Sequence, residues 1–303
     1  MNRRSDCLKR REWLRTCTAA VTAATAGGIA ALGAEKSQVE ASRERSVTKG
    51  HIKQSVVPWC FEPMKLESLA RHAAAIGLKA IENVDPKDWG ILKRHGLVCA
   101  MTVGHGFVDG MNRKENHPMC VEKLKAAIEA NAAAGFPNVI TFSGVRKGMP
   151  DDLGLENTVL GLKQVIGHAE RKNVNLCLEV INSRVDVYMK GRPDYMCDHV
   201  EWAGEVCKRL GSERMKILFD IYHVQIMQGD IITRIRQYQE YIGHYHVAGV
   251  PGRNEIDDTQ EINYPPIVRA IMATGYTGYL GQEFIPTRDP IQSLREAVRL
   301  CDV

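Results

Sequence analysis

The chain has 303 residues, of which 44% are hydrophobic and 25% charged, a composition typical of a soluble globular protein. Its formal net charge is +4 at pH 7, and residues 1–34 account for the whole excess because they carry six Lys or Arg and two acids. The remainder is formally neutral, so it does not offer the basic surface that non-specific nucleic-acid binding requires. No apolar run beyond residue 34 is long enough to insert stably into a membrane.

The N-terminal segment is a candidate targeting signal. The stretch "KRREWLRTCTAAVTAATAGGIAALGA" places the paired Arg10 and Arg11 before a weakly apolar run that ends in small residues. It resembles a twin-arginine export signal, whereas a basic, alanine-rich disordered terminus is the alternative. We therefore expect a signal at 1–34, a charged linker at 35–50, a folded domain at 51–303, and a periplasmic or otherwise exported protein.

The nine cysteines are dispersed and include no C-x-x-C pair. Cys7 and Cys17 lie in the N-terminal segment, and the other seven are an odd number. This pattern is not that of a disulfide framework, and it agrees with export after folding in the cytoplasm.

From residue 50 onward, short apolar runs alternate with segments of helical period such as "LENTVLGLKQVIGHAERKN". Gly135 and Gly211 are expected to end two of the helices. The eight candidate strands are Ile52–Phe61, Lys79–Asn83, Val98–Gly104, Asn138–Gly144, Asn175–Ile181, Lys216–Ile221, Gly243–Ala248 and Tyr279–Phe284. Eight strand-helix repeats over about 250 residues predict an α/β fold of the (β/α)8 TIM-barrel type. A doubly wound open sheet is the alternative, but no glycine-rich phosphate loop follows the first strand.

Polar side chains stand where four consecutive predicted strands end. They are Glu179 and Asn182, Asp220 and His223, His244 and His246, and Gln282 and Glu283. Because the functional groups of a TIM barrel gather at the C-terminal ends of its strands, these side chains are expected to meet at one mouth.

Three carboxylates and one imidazole in this set predict a metal site formed by Glu179, Asp220, His246 and Glu283. Three acids around one mouth repel one another unless a cation holds them. Oxygen-rich ligands with one nitrogen suit Mg²⁺ or Mn²⁺, and Zn²⁺ or Co²⁺ can compete. His246 is preferred to His244 as the ligand because it lies at the strand end, so His244 is assigned to the core beneath. The alternative is that each residue separately caps a helix or bonds a loop.

Five stretches, "LEVINSRVD", "FDIYHVQIMQGD", "HYHVAGVPGRNE", "EINYPPI" and "GYTGYLGQEF", resemble the hydroxypyruvate isomerase family of xylose-isomerase-like barrels. The resemblance covers about residues 175–290. It implies that Glu179 and Glu283 bind a divalent metal and also transfer protons. It also places His223 and Arg253 where related isomerases and epimerases hold the substrate.

Further substrate contacts are expected from three positions. Arg253, in the turn "VPGRNE", can meet a carboxylate with two hydrogen bonds, whereas a loop salt bridge to Glu255 is the alternative. His105 follows the third strand and Glu82 ends the second, so both can face the mouth. A simple turn at His105 and a helix cap at Glu82 are equally compatible with the sequence.

The resemblance implies a metal-dependent isomerase that interconverts hydroxypyruvate and 2-hydroxy-3-oxopropanoate (tartronate semialdehyde), or handles a similar small sugar acid, through an enediolate. A sugar epimerase or dehydratase of the same barrel group is the alternative. A phosphodiesterase like the apurinic endonucleases would need several zinc ions and more histidines, and a non-catalytic sugar-binding protein would not need two glutamates. The expected partner is a small molecule and not a nucleic acid, and homo-oligomer formation stays open.

Overall fold

The computed structural model describes residues 45–303. The strands are β1 (Lys53–Val56), β2 (Ala80–Ile81), β3 (Val98–Cys99), β4 (Thr102–Val103), β5 (Asn138–Thr141), β6 (Asn175–Glu179), β7 (Met215–Asp220), β8 (Ile242–Val247) and β9 (Tyr279–Gln282). The helices are α1 (Leu66–Ile76), α2 (Trp89–Arg94), α3 (His117–Ala134), α4 (Asp151–Lys163), α5 (Ile166–Lys172), α6 (Val200–Leu210), α7 (Ile221–Met227), α8 (Ile231–Tyr238), α9 (Tyr264–Ala273) and α10 (Pro290–Cys301). Short 3-10 turns occupy Pro58–Phe61, Pro86–Asp88 and Lys114–Asn116.

All neighbouring strands pair in parallel, in the order β3-β2-β1-β9-β8-β7-β6-β5-β4. The first and last strands in this order are consecutive along the chain, because only Ala100 and Met101 separate β3 from β4. The predicted third strand is therefore present in two short pieces, one paired with β2 and the other with β5. The ring of strands closes through this segment, and the predicted TIM barrel is confirmed.

Helices cover the outside of the barrel, and their sequences explain where they end. In α6 the buried residues recur at helical spacing, at Val200, Ala203, Val206 and Cys207, so one stripe faces the sheet. Gly135 and Gly211 adopt φ of 72° and 63° as the C-caps of α3 and α6, as predicted. All of β5 and nearly all of β6, β7 and β8 are buried, as expected for parallel strands covered on both faces.

The compact unit spans Ser46–Val303 and so begins before the predicted domain boundary at residue 51. Ser46 and Val47 are buried, and the backbone N–H groups of residues 48–50 donate to the Asp302 carboxylate at 2.5, 2.7 and 2.7 Å. This contact joins the two ends of the domain. Because its partners lie far apart in the sequence, no local sequence pattern predicts the contact. The predicted export signal lies outside the described residues.

Within residues 45–303, no helix combines the length and the apolar character needed to cross a membrane. The seven cysteines of this part of the chain are all free and buried. This agrees with the interpretation that their spacing is not that of a disulfide framework.

Candidate active site

A cavity of about 350 Å³ lies at the C-terminal ends of the strands and is called the C-terminal cavity here. The lining residues are Trp59, Asn83, Val103, His105, Gly106, Phe107, Ile140, Phe142, Glu179, Ile181, Met189, Gly191, Arg192, His223, His246, Arg253 and Glu283.

Four buried side chains converge at this cavity, and we call them the four-residue cluster. Each comes from a different strand end, and their ligand atoms all lie within 4.8 Å of one another: Glu179, Asp220, His246 and Glu283. The structure thus brings together the four residues that the sequence assigned to a metal site. They converge because parallel strands of one barrel present their C-terminal ends on the same side.

The two carboxylate oxygens of Asp220 make different contacts. It is the N-cap of α7, where Oδ1 accepts hydrogen bonds from the backbone N–H groups of Tyr222 at 2.9 Å and His223 at 3.4 Å. Oδ2 lies 3.1 Å from Nη2 of Arg253. The helix-capping and cluster interpretations of Asp220 are therefore compatible, because they use different oxygens.

Arg253 points into the cluster. Its Nη2 donates to Asp220 at 3.1 Å and to Glu283 at 2.5 Å. Its guanidinium also lies over the rings of Trp59 and Tyr222, with 5.2 and 5.4 Å to the ring centroids. The alternative pair with Glu255 does not form, since Arg253 makes its ion pairs with these two cluster carboxylates.

The His246 ring is held by a carboxylate beneath the cavity. Its Nε2 lies 2.9 Å from Oε2 of Glu82, and Nε2 of His244 lies 2.9 Å from Oε1 of the same carboxylate. Burial acts to raise the pKa of Glu82, but the charges and hydrogen bonds of the two histidines outweigh it and lower that pKa to about 2. Ionised Glu82 can only accept hydrogen bonds, so both imidazoles donate to it from Nε2.

Glu82 therefore does not lie on the cavity wall, where a substrate contact was predicted. The Ser55 hydroxyl also donates to it, which completes a buried polar layer under the four-residue cluster. Gly281 makes room for this layer, because a Cβ there would lie 2.4 Å from Oε1 of Glu82 and 2.7 Å from Cδ2 of His246. The predicted assignment of His244 to the layer below His246 agrees with this geometry.

His223 faces the C-terminal cavity in a defined tautomer. The Asn182 amide orientation follows from its bonds to backbone groups, because Oδ1 accepts from Val185 at 3.0 Å and Nδ2 donates to Lys190 at 2.9 Å. Nδ2 of Asn182 also lies 2.6 Å from Nδ1 of His223. Burial lowers the pKa of His223 well below its ordinary value, so the ring is neutral and carries its proton on Nε2.

His105 also lies on the cavity wall, but both of its ring nitrogens already have protein partners. Nδ1 lies 3.0 Å from the Gly106 carbonyl oxygen and Nε2 lies 2.9 Å from the Thr141 hydroxyl. Burial lowers its pKa to about 4, which keeps the ring neutral. His105 thus shapes the wall, with its ring packed edge-on against Phe142 at a centroid distance of 5.8 Å.

The carboxyl groups of the cluster differ in protonation. Burial and the Glu283 charge raise the pKa of Glu179 well above its ordinary value. Burial also raises the pKa of Asp220, to about 6, against the Arg253 charge. For Glu283, the charges of Arg253 and His246 outweigh burial and lower the pKa. Burial and a neighbouring acid thus favour the protonated form of Glu179, whereas the adjacent cationic groups favour the ionised form of Glu283.

The residues of the cluster fit a divalent cation. Nδ1 of His246 is buried and lies 2.7 Å from Oε2 of Glu283; against the effect of burial, the Glu283 and Glu82 charges raise the pKa of the ring well above its ordinary value. Because Glu82 holds the other ring nitrogen, Nδ1 can act as a ligand, and a carboxylate behind a ligating histidine is a recurrent arrangement in metal sites. Three carboxylates and one imidazole match the predicted preference for Mg²⁺ or Mn²⁺, with Zn²⁺ or Co²⁺ as competitors.

Sequence reasoning did not assign roles to several groups at this site. Trp59 is one of them, and its Nε1 lies 3.3 Å from Oε1 of Glu283. Asn182 was noted only as a polar strand-end residue, and its contact with His223 was not foreseen. Arg192 carried no signal, because it lies in an irregular loop whose path no periodic pattern predicts.

The model of the xylose isomerase-like TIM barrel family matches residues 70–302. The chain belongs to this family. Within it, the chain is similar to the 2-oxo-tetronate isomerase of Cupriavidus necator, with 34% identity over 227 residues that cover 75% of this chain and 79% of the relative. It is also similar to the hydroxypyruvate isomerase of Escherichia coli, with 26% identity over 216 residues covering 71% and 76%.

Among solved structures, the crystal structure of AP endonuclease, family 2 from Brucella melitensis has a TM-score of 0.70 to this family member. It is 22% identical and covers 80% of this chain and 97% of that chain. At this identity the likeness shows the fold alone. These relatives confirm the prediction that the chain is an enzyme of the isomerase class that resembles hydroxypyruvate isomerases.

Proposed function

We propose that this chain is a divalent-metal-dependent isomerase of a small hydroxy-keto acid, with hydroxypyruvate as the first candidate substrate. The observation that carries the proposal is the convergence of Glu179, Asp220, His246 and Glu283 at one cavity. The names of the relatives support the substrate class.

Glu179 and Glu283 are proposed as the proton-transfer groups. Both line the C-terminal cavity; Glu179 ends β6 and Glu283 follows β9, and these two strands are separated in the barrel by β7 and β8. A substrate between them therefore has a carboxyl group on either side of its reacting carbons. One glutamate removes a proton from C3 of hydroxypyruvate, giving an enediolate, and a proton is returned to C2. The hydroxyl proton moves from the oxygen on C3 to the oxygen on C2, so the product is 2-hydroxy-3-oxopropanoate and no external oxidant is needed.

Glu179, Asp220, His246 and Glu283 would hold the cation. When bound, it would supply positive charge that stabilises the negative charge developing on the two substrate oxygens. The protein contributes the orientation of the ligands, since Glu82 fixes the His246 ring and the α7 backbone fixes Asp220. Nε2–H of His223 lies 3.6 Å from Oδ2 of Asp220 and would donate a hydrogen bond to a substrate oxygen.

The proposal is tested by proton exchange in D₂O with hydroxypyruvate, other small hydroxy-keto acids and ketoses, in the presence of Mg²⁺ or Mn²⁺. We expect metal-dependent incorporation of deuterium and transfer of the carbonyl by one carbon, both detected by NMR. Absence of exchange from every compound with the metal-loaded protein would reject the isomerase proposal.

A four-carbon acid is the second candidate substrate, because the relative with 34% identity is named a 2-oxo-tetronate isomerase. The chemistry is the same, so the ratio of kcat/KM for the two acids decides between them. An epimerase would instead return the proton to the carbon that lost it, and deuterium would then appear without movement of the carbonyl.

Export through the twin-arginine route is a separate proposal, and it is supported by the paired Arg10 and Arg11 before a weakly apolar run. We expect the double substitution Arg10→Lys with Arg11→Lys to leave the folded protein in the cytoplasm, as measured by cell fractionation. Unchanged export of the double variant would exclude this route.

A further inference from the structure

Two arginines line the C-terminal cavity, and only one of them is engaged by acids. Arg253 forms ion pairs with Asp220 and Glu283, and its Nη1 donates to the Met189 carbonyl oxygen at 2.5 Å. Arg192 forms no ion pair within residues 45–303, and its buried Nε has no hydrogen-bond partner there. A partly buried guanidinium without an acid favours binding an anion, because burial removes part of its hydration.

The backbone around Arg192 is held firmly. Its N–H donates to the Asn182 carbonyl oxygen at 2.9 Å, and its own carbonyl accepts from the Tyr195 N–H at 3.1 Å. Gly191 crosses closely over this region, since a Cβ there would lie 2.5 Å from both Oδ1 of Asn182 and the Val185 carbonyl oxygen. The position of Arg192 is thus tied to the residue that orients His223, as expected for a binding group supported by a second layer of contacts.

Much of the rest of the wall cannot pair with an anion. Val103, Phe107, Ile140 and Ile181 are apolar, and both ring nitrogens of His105 are already bonded within the protein. Arg192 is therefore the lining cation that can pair with an anionic end of a ligand in this cavity.

We propose that Arg192, rather than Arg253, binds the carboxylate of the substrate and selects hydroxy-keto acids over neutral ketoses. This inference rests on the proposed function for its substrate class. The guanidinium offers a fork of N–H donors that matches a carboxylate, whereas the Arg253 charge is already balanced by the cluster.

The first experiment measures binding without turnover. Glycerate has the three carbons and the carboxylate of hydroxypyruvate but no carbonyl, so it cannot be isomerised. We expect Arg192→Gln in the full Mn²⁺-loaded chain to weaken calorimetric binding of glycerate about 10- to 100-fold, as for a lost charged hydrogen bond. Arg192→Lys should retain part of the affinity, because it keeps the charge and loses the fork. Arg184→Gln is the matched control, since Arg184 is an exposed residue of the same loop that bonds the Ile226 carbonyl oxygen.

The second experiment measures D₂O exchange with hydroxypyruvate and with neutral dihydroxyacetone. Arg192→Gln should raise KM for hydroxypyruvate about 10-fold or more and leave kcat and the KM for dihydroxyacetone unchanged. Unchanged glycerate affinity, no glycerate binding by the wild-type protein, or an equal KM rise for both compounds would overturn the assignment. If no compound exchanges, the proposed function fails, yet the glycerate titration still decides the role of Arg192.

Discussion

The two ends of the barrel differ in what their cavities contain. The cavity at the N-terminal ends of the strands is the larger of the two, at about 880 Å³, but none of the charged residues that line it is buried. Lys216, for example, donates to the Glu240 carbonyl oxygen at 2.7 Å, and Lys53 lies 4.7 Å from the centre of the Tyr279 ring. The C-terminal cavity is smaller, at about 350 Å³, and has the buried four-residue cluster. Convergence of buried charges, rather than cavity size, therefore marks the candidate active site.

The largest expected effect is a loss of kcat that occurs on substitution of glutamates at the C-terminal cavity but not of a glutamate at the N-terminal cavity. Glu179→Gln and Glu283→Gln should each reduce kcat by about 10²- to 10⁴-fold even with metal saturating, because each removes a general acid or base. Glu213→Gln, at the N-terminal cavity, is the matched control and should leave kcat unchanged. Single-turnover rates measured together with metal occupancy provide the check. Full rates for both cluster variants at saturating metal would mean that the glutamates are ligands only.

The second prediction concerns the layer beneath the cluster. Glu82→Gln should lower the free energy of unfolding by about 3 to 5 kcal/mol, because it breaks a fully buried ion pair. It should also weaken metal binding about 10- to 100-fold through the freed His246 ring. Glu129→Gln, on an exposed pair with Lys172, is the matched control and should leave the free energy of unfolding nearly unchanged. Denaturant unfolding and metal titration give both values.

The Glu82 pair also gives a pH dependence with a definite sign. The pKa of Glu82 is lowered from 4.5 to about 2, so the folded state favours the charged form. Its contribution to stability is present above the unfolded pKa and is lost as the pH falls through 4.5 toward about 2. The acid limb of the unfolding curve should therefore flatten in Glu82→Gln; an unchanged acid limb would show that Glu82 does not carry this dependence.

A third prediction distinguishes ligation from proton transfer. Asp220→Asn should weaken metal binding about 10- to 100-fold and recover part of its activity at high Mn²⁺, because Asp220 is proposed as a ligand only.

Metal removal from the wild-type protein should abolish turnover and lower Tm, since a ligand that binds only the native state stabilises it. Full activity in rigorously metal-free protein would contradict the metal assignment.

The smallest expected effect lies where the ends of the domain meet. Asp302→Asn should lower the free energy of unfolding by about 1 to 2 kcal/mol, because the amide cannot accept all the N–H groups that the carboxylate accepts. Hydrogen bonds from residues 48–50 outweigh burial and lower the pKa of Asp302, so this contribution is also lost at acid pH. Metal affinity and kcat should stay unchanged, and a loss of either would show coupling to the C-terminal cavity.

The sequence by itself determined the barrel and the four cluster residues. Both depend on local patterns, since the alternation of strands with amphipathic helices is periodic and a strand end is recognisable where an apolar run stops at Asp220 or Glu179. Parallel strands then force such ends together, so the convergence followed from the fold class alone.

Only the tertiary structure decided which neighbour each side chain meets. Glu82 was expected to face the substrate and instead contacts His244 and His246, because side chains from β8 and from the residue after β2 meet inside the barrel. Arg253 lies against the cluster rather than beside Glu255, while Arg192, which no pattern marked, has no acidic partner among residues 45–303. These contacts depend on side-chain directions and loop paths that bring together residues far apart in the sequence. Such contacts leave no periodic pattern from which the sequence could predict them.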